Sequence, residues 1–140
     1  MADRQLDIFG GKRQRGKVVA AGPSERQIHI MVADYLRAGL ASGWIWHHVP
    51  NGELRNPVTG ALLKRYGTKP GVSDICLHRA PNARLYALEL KRKGEKPSEA
   101  QYAWMLEVEK IGGVTAWADN VDKAIEILAS WGAIRTNIKM

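Results

Sequence analysis

Two runs with two-residue periodicity, Ser73–His78 and Arg84–Lys91, flank a Pro81-Asn82 turn, and no other feature of the chain restricts its fold as much. Side chains alternate between the two faces of a strand. Tyr86, Leu88 and Leu90 therefore point one way, and Leu85, Ala87, Glu89 and Lys91 point the other. In the first run Ile75 and Leu77 face a core, while Asp74 faces away with Cys76 and His78. A short turn between two such runs predicts an antiparallel hairpin. That pairing carries Asp74, near the start of one strand, to Glu89, near the end of the other. Glu89 and Lys91 are neighbours on one face, about 6.5–7 Å apart. Two carboxylates meeting at a sheet edge repel each other unless a cation lies between them. A hard divalent ion with oxygen ligands, Mg²⁺ or Mn²⁺, is the natural occupant.

Helices are expected on both sides of the hairpin. Ser24 with Gln27, and Ser98 with Gln101, each form an S-x-x-Q capping box. The first helix carries Ile28, Met31, Val32, Tyr35, Leu36 and Leu40 at helical spacing and ends near Ser42-Gly43. The second carries Trp104, Met105, Val108 and Ile111 and stops at Gly112-Gly113. Trp44–Val49 and Val114–Ala118 read as further strands, and a last helix runs from Asn120 to Trp131. Residues 52–72 form a long connection with a short helix at Gly60–Tyr66; a connection of that length in a compact domain is usually functional. Strands alternating with helices imply an α/β fold, a mixed sheet covered by helices. The expected organisation is a basic, flexible arm over 1–22, one domain over 23–133 and a tail over 134–140.

Composition narrows the function. A chain of 140 residues with 45% hydrophobic and 25% charged residues is an ordinary single globular domain. One cysteine, Cys76, permits no internal disulfide and no cysteine-rich zinc site. With no signal-peptide core and no apolar stretch near the roughly 20 residues of a membrane helix, a cytoplasmic protein is expected, in a bacterial cell or a phage-infected one. The net charge of +7 favours a polyanionic partner. Five of the 21 Lys and Arg residues fall within the first 17 positions, and others crowd around Glu89.

Four motifs then occur in order: "HVPNGE" (His48–Glu53), "GTKPGVSDI" (Gly67–Ile75), "ELKRKGEKPSEAQ" (Glu89–Gln101) and Trp104. Together they resemble the VRR-NUC domain, the virus-type replication–repair branch of the PD-(D/E)XK nuclease superfamily, over residues 24–118. The resemblance implies a restriction-endonuclease-like αβββαβ core and a Mg²⁺-dependent phosphodiesterase, an endodeoxyribonuclease. It makes Asp74 and Glu89 metal ligands with the backbone carbonyl of Leu90, and Lys91 the catalytic lysine. Glu25 corresponds to the helix-borne acid that completes the metal site, and Gln101 to the glutamine that points into it. Each also has a structural role open to it: Glu25 at a helix N-terminus, Gln101 as the partner of Ser98. His48 and Asn51 flank the site in the motif but read more readily as structural residues, and His29 and His78 as incidental ones.

Arg55, Lys64, Arg65 and Lys69 before the hairpin, and Arg92, Lys93 and Lys96 after it, are candidate phosphate contacts, which set affinity and register rather than sequence preference. No base-reading element is evident, so structure-selective cutting of branched or Holliday-junction-like DNA is the expected activity, with a homodimer implied by likeness. The alternatives are a non-catalytic DNA-binding adaptor and a nuclease of RNA or single strands. Gln5-Leu6-Asp7-Ile8-Phe9 resembles the bacterial sliding-clamp-binding peptide, with Gln5, Leu6, Ile8 and Phe9 as its contact residues.

Overall fold

The computed structural model describes residues 22–50 and 57–135. Arg55 and the clamp-like peptide Gln5, Leu6, Ile8 and Phe9 lie outside them. Helix α1 (Glu25–Gly39) begins at the expected box: the Ser24 side chain accepts from the Gln27 N–H, and the Gln27 side chain accepts from the Ser24 N–H. A cap of this kind is worth about 1 kcal/mol. Strand β1 (Trp44–His48) follows, then α2 (Pro57–Arg65), β2 (Ile75–Arg79), β3 (Arg84–Leu90), α3 (Glu99–Lys110), β4 (Val114–Ala118) and α4 (Val121–Trp131). The second box, at Ser98 and Gln101, opens α3. The short helix starts earlier than expected, at Pro57, where proline suits a first helical turn.

The sheet order is β1-β2-β3-β4, with β1, β2 and β3 antiparallel and β4 parallel to β3. It is the expected α/β arrangement, a mixed sheet with helices on both faces. Helices α1 and α4 cover one face, where Ile28, Val32, Leu36, Ala124 and Leu128 pack on Ile75, Leu77, Tyr86, Leu88 and Leu90. The hairpin register pairs Ile75 with Leu88 and Leu77 with Tyr86, so the apolar residues of the two strands share that face. Cys76 and Ala87 lie on the other face and are also buried. Burial pushes the Cys76 thiol up to about 11, in keeping with an inert core residue.

Two expected core positions are not in the core. Met31 is 45% exposed, because the buried stripe of α1 runs through Ile28, Val32, Ala33 and Leu36. Ile111 is 85% exposed: α3 ends at Lys110, and Ile111 caps it in the turn toward β4. Beyond α4, Ile134 is buried and forms a bridge with Leu40, which ties the segment after α4 to the exit of α1. Among the described residues no helix is long and apolar enough to cross a membrane.

Candidate active site

Asp74 occupies the bend that enters β2, and Glu89 stands next to last in β3. One step beyond the Ile75–Leu88 pair, the ladder sets them opposite each other. The Asp74 N–H donates to Glu89 Oε2 at 3.3 Å, and Asp74 Oδ2 accepts from the Leu90 N–H at 2.8 Å. The carboxylates meet at the ends of the two central strands, not at a sheet edge as expected. Flanking strands and the helix above enclose Glu89, which is 2% exposed. Lys91 follows two residues on, with Nζ 3.7 Å from Glu89 Oε1.

This confinement sets the electrostatics. Burial first, and then the charge of Asp74, push the Glu89 carboxyl up to about 8, with Lys91 opposing them. Glu25, in the first turn of α1, is also raised, by burial and then by Asp74. Like charges in low dielectric disfavour a second ionisation. Asp74, Glu89 and Glu25 are thus coupled carboxyls, with the Lys91 ammonium beside Glu89.

Gln101 performs both of the roles that its sequence position allowed. Its Oε1 accepts from the Ser98 N–H at 2.7 Å, closing the capping box, while its Nε2 donates to Glu89 Oε1 at 2.8 Å. A single amide thereby ties the start of α3 to the buried carboxyl. Gly71 makes this approach possible. At φ +85° it lies so close to α3 that an added Cβ would stand 2.4 Å from the Ala100 carbonyl oxygen. Only glycine fits such a contact.

His48 donates through Nδ1 to the Asp74 carbonyl at 2.8 Å, and the same oxygen accepts from the Val49 N–H at 2.9 Å. His29 packs edge-on against His48, with ring centroids 4.4 Å apart. Burial, and then His48, lower the His29 pKa. His29 therefore belongs to the surroundings of Asp74 and is not incidental. The "HVPNGE" motif contained His48, but nothing local in the sequence pointed to His29. Asp119, at the end of β4, also escaped sequence reading. Its Oδ2 accepts from the Gly94 N–H at 3.2 Å and fixes the loop after Lys91.

The chain superposes on the solved structure of a "VRR_NUC domain protein" with a TM-score of 0.62 and 22% identity, covering 77% of this chain and 87% of that one. The chain has the VRR-NUC fold. No family model matches the sequence, and no curated protein matches it.

Proteins of this fold type usually use a divalent metal, and the residues present fit one. Among the described residues no group of three or more His, Cys, Asp and Glu side chains draws together as a metal set. Magnesium, however, commonly takes only one or two carboxylates, with waters and substrate oxygens completing its shell. Asp74 and Glu89 supply two hard oxygen donors in a pocket whose charge favours a cation. Glu25 stands within electrostatic range of Asp74 without closing a three-carboxylate cage. Lys64 and Arg65 are exposed in the last turn of α2, and Lys93 and Lys96 are exposed after β3. Arg92 is half-buried and engaged. Lys69 is paired with Glu107 of α3 rather than left open.

Proposed function

We propose that the protein is a divalent-metal-dependent DNA endonuclease that hydrolyses phosphodiester bonds, with branched duplexes as its preferred substrate. The observation that carries this reading is the convergence of Asp74, Glu89 and Lys91 within hydrogen-bonding or ion-pair distance at the end of one hairpin. Asp74, Glu89 and the Leu90 carbonyl would hold Mg²⁺ or Mn²⁺, which when bound supplies Lewis-acid stabilisation of charge on the phosphate oxygens. Glu25 adds a further carboxylate from α1.

The chain's own residues do the rest. Gln101 holds Glu89 in one rotamer, and the Leu90 N–H holds Asp74, so both oxygens are fixed before substrate arrives. Lys91 keeps its ammonium at the mouth of the pair, where it orients the attacking water and offsets negative charge developing at phosphorus. Lys64, Arg65, Lys93 and Lys96 grip backbone phosphates without reading bases. As a homodimer, the protein would offer two such centres to opposed strands.

Cleavage of duplex, flap, four-way-junction, single-stranded and RNA substrates with Mg²⁺ or Mn²⁺ tests the reading. Asp74→Ala, Glu89→Ala and Lys91→Ala are each expected to abolish cutting while gel-shift binding survives. A fully active Lys91→Ala enzyme would overturn the assignment.

A further inference from the structure

Next to Asp74 lies a cavity in which Arg26 and His29 have no part in the hydrolytic reading. It measures 410 Å³ and is lined by Glu25, Arg26, His29, Ile30 and His48. Arg26 is exposed and has no ion pair or hydrogen bond among the described residues. His48 joins this cavity to the carboxylate pair. A carbonyl oxygen can only accept, so the 2.8 Å contact with Asp74 puts the His48 proton on Nδ1 and fixes the ring. His29, edge-on to it at 4.4 Å, is fixed in turn. Glu25 also lines the cavity and interacts electrostatically with Asp74 and Lys91. Among the described residues, Arg26 and the His29 ring N–H have no acceptor.

We propose that this cavity seats a backbone phosphate of the substrate strand, adjacent to the scissile one, gripped by Arg26 and His29. The substrate class rests on the nuclease reading above; the seat itself rests on the cavity and its donors. A guanidinium offers two parallel N–H groups that match phosphate oxygens, a geometry lysine lacks. A second phosphate held one side chain away from Asp74 fixes the register of the strand, so that the bond to be cut lies over the carboxylate pair. Contacts of this kind set position and carry no sequence preference.

The test is a binding measurement on the full chain with Ca²⁺ present, using duplex and four-way-junction DNA in which one phosphate at a time is replaced by an uncharged methylphosphonate. The wild type is expected to lose affinity at the scissile phosphate and at one neighbour. Arg26→Ala is expected to weaken binding about tenfold, lower the salt slope by about one and erase the neighbouring interference peak. His29→Phe keeps a ring against His48 but removes the N–H. It should weaken binding about threefold and shrink the same peak. Arg37→Ala, on the same helix but already paired with Asp34, should leave the peak intact. An Arg26→Ala profile that retains the peak, or a His29→Phe protein that binds like wild type, overturns the seat. Because the peak is read in binding, a wild type that shows it but cuts nothing in Mg²⁺ or Mn²⁺ defeats the nuclease reading and leaves the seat standing.

Discussion

Replacing Gly71 with alanine should damage the centre without touching any of its charged groups, and Gly94 provides the matched control. Both glycines have φ +85°, but a Cβ on Gly94 would meet nothing within 4 Å, whereas one on Gly71 would meet Ala100 O at 2.4 Å. The shared backbone conformation costs an alanine about 1–2 kcal/mol at either site. At Gly71 the obstacle is backbone, so α3 must retreat by at least about 0.6 Å to restore even the tightest contact of 3.0 Å. Overpacking of this kind costs about 1–3 kcal/mol. The retreat also stretches the 2.8 Å bond from Gln101 to Glu89, weakening a contact to a buried carboxyl, for a further 1 kcal/mol or so. Urea unfolding should therefore show Gly94→Ala losing about 1–2 kcal/mol and Gly71→Ala about 2–4 kcal/mol more. Under conditions where both remain folded, only Gly71→Ala should lose cleavage, by tenfold or more. Equal destabilisation of the two variants would refute the close approach of Gly71 to α3 and its part in placing Gln101.

Three further outcomes follow from the same geometry. With the folded-state carboxyl of Glu89 raised to about 8, the proton-bound form favours folding. Metal-free stability should decline as pH rises from about 4.5 toward 8, while the thermal shift given by Mg²⁺ grows over the same window; a Mg²⁺ shift that is flat between pH 6 and 8.5 contradicts this. Cys76, buried with its thiol pushed up to about 11, should resist a thiol-specific reagent in the native protein and release one equivalent on denaturation, and rapid native labelling would show that the α3-side face is open. Deleting residues 4–9, which removes the whole Gln5–Phe9 peptide, should abolish co-elution with a bacterial sliding clamp and leave cleavage of naked DNA unaltered, whereas an intact chain that never binds the clamp dismisses that role.

Much of the fold was legible because its rules act over short stretches of chain. The two S-x-x-Q boxes located the starts of α1 and α3, since a cap involves groups three residues apart. The two-residue alternation of Ser73–His78 and Arg84–Lys91 placed Asp74 and Glu89 on one face, and antiparallel pairing across a short turn allowed no other meeting of those ends. The match of the motifs to the VRR-NUC pattern agreed with the fold that resulted. Gln101 was legible only as two competing roles, because sequence spacing cannot show that opposite ends of one amide serve both.

What tertiary structure alone decided are contacts between residues far apart along the chain. Gly71 reaches α3 across 29 positions, His48 bonds to Asp74 across 26, and Lys69 is taken up by Glu107 across 38. The burial that raises Glu89 depends on β4 lying parallel beside β3 with α3 above them. Local propensity is blind to such approaches, because they are set by how whole elements pack and exclude water. The sequence by itself therefore determined which carboxylates meet. Packing determined the environment in which they meet, and with it their charge, their partners and the cavity beside them.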